Sequence, residues 1–248
     1  MGKIIVPGLR GLGKFPVPDL RPKPVAMSLT PNRIKILIGM PFGRPMDLLP
    51  IESWVALFIK AVTNPCYFIS GKYVRTAYLD VNRDTIAAEA LKQKTDFVLM
   101  VDTDMDYPDT TLDTLVSRDK DVVGVAYYTP RWNPEEKKSE EVWPQIYDYN
   151  IKAKLWSQWP MIKETEPFRV DAVGTGIMLI KTKVFKKLKK PWFPFFRTEY
   201  KGDPKVMGED LGFCLKCLAN GIEVWVDPTI DVGHNKAYRY SKKDCTTK

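Results

Sequence analysis

Apolar residues follow two rhythms along this chain. Short apolar runs, suited to buried strands, alternate with stretches whose apolar positions recur every three or four residues, suited to helices. The first run is 33–39, and helical spacing follows from Pro50 to Val62, with Trp54, Leu57, Phe58 and Ala61 on one side. A second strand is predicted over 66–70 and a helix over 82–94, with Ile86, Ala87, Ala90 and Leu91 on one face. Further strands are predicted over 97–101 and 121–127, with a helix over 108–116 between them that has Pro108 at its first position. This alternation predicts an α/β domain built on a mixed, mainly parallel sheet flanked by helices. Residues 128–168 break the pattern: they hold Trp132, Trp143, Trp156 and Trp159 among many charges, without periodicity. Periodicity resumes over 170–180, a strand interrupted by Gly174-Thr175-Gly176, where glycines mark a bulge or a close backbone approach. A short lysine-rich helix over 182–188, the aromatic segment Pro191–Phe196 with no assigned place, a helix from Gly208 to Asn220 capped by Gly221, and a strand over 222–226 complete the order.

The strand over 97–101 runs directly into Asp102-Thr103-Asp104. Two carboxylates two residues apart then stand at the carboxyl end of a central strand, where open α/β sheets bind ligands. Such a pair repels itself unless a cation intervenes, and an oxygen-seeking ion such as Mg²⁺ or Mn²⁺ suits it. Both residues also suit a plain turn. An EF-hand is excluded: Tyr107 stands where its glycine belongs, Asp113 where its glutamate belongs, and a strand precedes the loop. His234 is the sole histidine, a surface group or a nitrogen ligand for an oxygen-rich site. Glu209 and Asp210 open a helix, where they stabilise its dipole or, pointing at a site, serve as a general base. Arg83, near the start of a helix, is placed equally well to bind phosphate or to be structural. Cys214-x-x-Cys217 sits inside a helix with no second pair nearby, so it lacks the four ligands of a structural zinc site.

Charge adds one feature. The net charge of +8 lies at the two ends: Lys3, Arg10, Lys14, Arg21 and Lys23 near the start, and Lys236, Arg239, Lys242, Lys243 and Lys248 at the finish, leaving 31–234 formally neutral. This argues against a nucleic-acid binder with a basic folded face. Basic ends still favour a phosphate-bearing ligand or a peripheral anionic surface. Residues 1–31 carry six prolines and read as an extended basic arm, laid on the domain or on a second copy in a homo-oligomer. With 44% apolar residues the chain can build a core, and it holds no apolar run long enough to span a membrane and no secretory signal. Four cysteines in a chain of this length read as reduced thiols in a cytoplasmic setting.

Four features now stand in one order: the strand ending in Asp102-Thr103-Asp104, then Val170-Asp171-Ala172-Val173-Gly174-Thr175-Gly176, then Gly208-Glu209-Asp210 opening a helix, then Gly233-His234. Together they resemble the family 2-like glycosyltransferases of the GT-A fold, in their compact phage and microbial form, over roughly residues 33–238. The resemblance implies a single GT-A domain over 32–235, between the arm (1–31) and a basic tail (236–248). It implies transfer of a sugar from a nucleoside-diphosphate sugar donor to a carbohydrate or other hydroxyl acceptor, with Mn²⁺ or Mg²⁺. Carried over by position, Asp104 and His234 would bind the metal, and Asp102 the ribose or the metal through water. Pro41 would border the nucleobase. Arg83 matches an Arg-Asn helix start, with Asp84 replacing the Asn. Gly174, Thr175 and Gly176 would line the donor sugar and acceptor, and Lys236 and Arg239 would cover the diphosphate. Asp210 would be the base of an inverting reaction and Glu209 would hold a substrate. The competing expectations are a sugar-nucleotide nucleotidyltransferase, for which the loop after the first strand is too poor in basic residues, and a non-catalytic glycan- or nucleic-acid-binding module.

Overall fold

The computed structural model describes residues 33–42, 50–133, 138–200, 203–235 and 239–240. The expected arm over 1–31, Lys236 and the tail beyond Tyr240 lie outside the described residues. Seven strands form the central sheet: β1 (Ile34–Phe42), β2 (Tyr67–Arg75), β3 (Phe97–Val101), β4 (Val122–Val125), β5 (Phe168–Val170), β6 (Ile177–Lys181) and β7 (Val224–Asp227). Their order is β5-β7-β4-β6-β3-β1-β2. β1, β2, β3, β4 and β7 run one way, while β6 and β5 run against them. The molecule is therefore a mixed α/β structure whose large sheet is mainly parallel in direction.

The apolar runs explain this arrangement. All five residues of β3 are buried, as befits a strand covered on both faces. Alternation along the strands divides the core into two layers. Leu37, Val98 and Met100 face helices α2 (Leu79–Gln93) and α5 (Glu209–Ala219), meeting Ile86, Ala90 and Phe213. Ile36, Ile38, Leu99 and Val101 face α1 (Ile51–Thr63) and α3 (Thr111–Ser117), meeting Leu57, Ala61, Leu112 and Leu115. α2 ends where Lys94 turns left-handed (φ 55°), which lets the Thr95 N–H return to the Ala90 carbonyl.

The departures from the sequence pattern lie where tertiary contacts decide. β1 and β2 run several residues beyond their apolar cores because they pair in parallel through Phe42 and Arg75. α2 begins at Leu79 rather than 82, and the Asn82 side chain bonds the Phe42 carbonyl instead of starting the helix. Pro108 does not open α3, since Met105–Asp106 form a short strand first. The expected single strand over 170–180 divides into β5, the pair Ala172–Val173 and β6. The aperiodic stretch 128–168 holds two hairpins, Tyr128–Asn133 with Lys138–Pro144 and Ile146–Asn150 with Leu155–Gln158. Cys214 and Cys217 are buried free thiols, and burial pushes the Cys214 thiol up to about 12. Among the described residues no helix is long and apolar enough to cross a membrane.

The segment Pro191–Phe196 gains a position through α4 (Lys183–Lys187) and α5. Trp192 and Phe193 enter the core beside Phe185, and Phe193 stacks on Phe213 with centroids 4.6 Å apart. Gly212 makes the contact feasible, since a Cβ there would lie 1.9 Å from the Pro194 carbonyl oxygen. Gly212→Ala is therefore expected to destabilise the fold by about 1–3 kcal/mol through overpacking, read as a lower urea midpoint with an unchanged slope.

Candidate active site

β3 delivers Asp102, Thr103 and Asp104 to the carboxyl end of the parallel strands, the end at which β1 delivers Pro41. The chain then continues as Met105–Asp106, which pairs antiparallel with Gly233–Asn235. The Asn235 N–H donates to the Asp104 carbonyl at 2.7 Å and extends that ribbon. Two distant segments are joined in this way, and the His234 Nε2 comes to 3.3 Å from Asp104 Oδ2. His234 is only 7% exposed, packs edge-on against Tyr127, and places its Nδ1 3.2 Å from the Tyr128 carbonyl. A carbonyl only accepts, so a proton on Nδ1 would satisfy it and leave Nε2 free to meet the carboxylate through a shared proton or a metal ion. The oxygen and nitrogen donors fit a hard divalent ion such as Mn²⁺. Among the described residues no group of three or more His, Cys, Asp or Glu side chains is gathered to hold a metal. A cation here would complete its shell with substrate oxygens and water, as Mg²⁺ commonly does.

Behind this pair lies a buried ion network. Arg83, 1% exposed, donates from Nη2 to both Asp102 oxygens at 2.8 and 3.1 Å and from Nε to Glu209 at 3.1 Å. Its Nη1 reaches the Thr175 carbonyl at 3.4 Å. Burial disfavours the guanidinium charge, but Asp102 and Glu209 outweigh it and keep the group charged. Burial also lifts Asp102 to about 6, with Arg83 pulling it down and Asp104 and Glu209 pushing it up. Arg83 lies one turn inside α2 and pairs with two carboxylates, Asp102 faces it with both oxygens and Glu209 is buried against it, and all three line the same cleft as Asp104 and His234.

Asp210 differs from its neighbour. It is half-buried at the first turn of α5, accepts the Leu211 N–H at 2.7 Å, and is raised to about 6 by burial and then by Glu209. It shares one cleft of about 480 Å³ with Pro41, Tyr78, Asp104, Tyr127, Phe195 and His234. Gly174, Thr175 and Gly176 do not line that cleft, contrary to expectation. A Cβ at Gly174 would fall 2.2 Å from the Tyr127 hydroxyl, and one at Gly176 would fall 2.9 Å from the Tyr127 ring, so the glycines make room for Tyr127. Thr175 is buried and serves through its carbonyl. Arg239 belongs to a short strand whose backbone folds back on His234 and Asn235. Tyr78, Tyr127 and Phe195 are the aromatic lining residues that sequence patterns missed. Aromatic content alone marks core as readily as site; the cue available was Phe195's place in an aromatic run that no periodicity explains.

No protein-family model and no curated protein matches this chain. Among solved structures, the chain is similar in fold to A197 from STIV, with a TM-score of 0.52 and 17% sequence identity over 85% of this chain and 92% of that one. At that identity the likeness establishes the α/β fold alone.

Removing the guanidinium tests the network directly. Arg83→Met is expected to cost about 3–5 kcal/mol of stability at neutral pH, because it leaves Asp102 and Glu209 buried without their cation. Asp102, already raised by burial, would lose the cation that pulls it down and hold its proton more tightly folded than unfolded; its contribution is retained at low pH and lost as pH rises through the folded value, so the deficit in urea unfolding should be smaller at pH 5 than at pH 8.

Proposed function

We propose that this chain is a metal-dependent glycosyltransferase of the GT-A type, moving a sugar from a nucleoside-diphosphate sugar to an acceptor hydroxyl. The observation that carries the reading is the Asp104–His234 pair, 3.3 Å apart in the same cleft as the half-buried Asp210. A divalent ion held by Asp104 and His234 would neutralise the negative charge that a diphosphate gains as it leaves. Asp210 supplies the base. With its pKa near 6 it is mostly ionised at pH 7, yet basic enough to accept a proton from a hydroxyl. The acceptor oxygen attacks the anomeric carbon as the bond to the diphosphate breaks; the diphosphate leaves with the bonding electrons, and the hydroxyl proton passes to Asp210. One displacement of this kind inverts the anomeric centre. Glu209, Arg83 and Asp102 keep α5 and the end of β3 at a constant separation, so base and metal pair do not drift apart.

A thermal-shift screen of UDP, GDP, CDP, ADP and dTDP sugars with and without Mn²⁺ tests the class, with binding expected for one nucleotide only when Mn²⁺ is present. Asp104→Ala should abolish the Mn²⁺-dependent part of that binding in calorimetry; unchanged affinity would remove the basis of the metal site. Asp210→Asn should leave donor affinity near the wild-type value and lower transfer by about 10²–10⁴-fold, the usual contribution of a general base. The pH profile follows from the sign of the shift: below pH 6 Asp210 takes up a proton and cannot accept another. The wild-type kcat/KM should therefore fall on the acid side with a midpoint near 6, and that limb should vanish in Asp210→Asn.

A further inference from the structure

The segment Pro191–Phe196 is pinned just before it reaches the cleft. Asp84 of α2 accepts hydrogen bonds from the Trp192 N–H at 2.9 Å and the Phe193 N–H at 3.0 Å. The Trp192 indole donates to the Phe185 carbonyl at 2.9 Å, Phe193 lies flat on Phe213, and the Pro194 carbonyl occupies the space left by Gly212. Trp192 and Phe193 are buried, whereas Phe195 is 48% exposed and lines the cleft. An exposed aromatic ring that directly follows a pinned backbone segment is preorganised for something that covers it.

Its position says which part of a substrate that is. Phe195 follows the stacked Phe193 and shares the cleft with Asp210, whose helix carries Phe213. An acceptor hydroxyl must come within about 3 Å of its base, so the body of the acceptor lies beside Asp210. Tyr78, 66% exposed, stands with Pro41, Ala77 and Leu79 by the ends of β1 and β2 and offers the nucleotide an aromatic surface of its own. The face of a phenyl ring is electron-rich and attracts groups of slight positive charge. A pyranose presents a flat C–H face together with rim hydroxyls, and so combines a surface for Phe195 with a nucleophile for Asp210. A serine or threonine side chain presents no such flat face. We propose that Phe195 is the acceptor-stacking residue and that the acceptor is itself a carbohydrate ring. This rests on the transferase reading above, and it makes Asp84 the positioning residue of the platform.

The test uses the full chain and methyl glycosides of glucose, galactose, mannose and N-acetylglucosamine in both anomers, followed by saturation-transfer NMR without donor. At least one glycoside should receive saturation at its ring C–H protons, lose it in Phe195→Ala and keep it in Phe195→Trp. Phe195→Ala should melt near the wild-type temperature because the ring is largely outside the core. With the donor found by the Mn²⁺ screen, Phe195→Ala should raise the acceptor KM by about tenfold, the size of one aromatic stacking contact, and the donor KM by much less. The proposal is overturned if no glycoside receives saturation, if the substitution raises the donor KM instead, or if a Ser/Thr peptide is the preferred acceptor. Absence of any Mn²⁺-dependent donor binding would defeat the transferase reading instead, and the donor-free NMR experiment still decides the platform by itself.

Discussion

Arg83 with its two carboxylates is the constraint on which the rest of the site depends. The guanidinium is 1% exposed, and it joins α2, the end of β3 and the first turn of α5 through Asp102 and Glu209. A charge this deep is tolerable only when partners saturate its donors, and removing one partner costs far more than the pair contributes. The network thereby fixes the distance between two elements that reach the cleft from different parts of the chain. The same burial and crowding lift Asp102 and Asp210 to about 6, so the stability of the fold and the acid–base character of the cleft share one physical source.

A second constraint is the two-stranded ribbon between Met105–Asp106 and Gly233–Asn235. Backbone pairing, not side-chain attraction, brings His234 to Asp104. Side-chain packing then sets the ring's orientation: Tyr127 meets it edge-on and Nδ1 lies 3.2 Å from the Tyr128 carbonyl. Tyr127 fits there because Gly174 and Gly176 lack a Cβ, which explains the Gly-Thr-Gly interruption as room for a neighbour. The aromatic shelf around Phe193 follows the same logic, with Gly212 admitting Pro194 and Asp84 receiving two backbone N–H groups.

The legible parts of this molecule are those governed by short-range pattern. The run Phe97–Val101 is a fully buried strand, as five consecutive apolar residues imply, and Ile86, Ala87 and Ala90 form the inward face of a helix. Asp102 and Asp104 stand at the strand's carboxyl end, directly after its apolar run. Element boundaries were less legible, since pairing extends β1 and β2 beyond their apolar residues and Asn82 bonds a neighbouring strand's carbonyl. The hairpins of 128–168 left no periodic trace.

What the sequence by itself determined is the α/β architecture, the placing of two carboxylates after a central strand, and the acidic start of α5. Hydrophobic period and turn chemistry suffice for these, because each depends on residues within a turn or two of one another. Tertiary structure alone decided how the ionisable groups are shared: Arg83 takes Asp102 and Glu209, His234 takes Asp104, and Asp210 faces the cleft. The physical reason is that charge pairing and desolvation depend on distance in space, and the chain brings these residues together only when the sheet, the ribbon and α5 have packed.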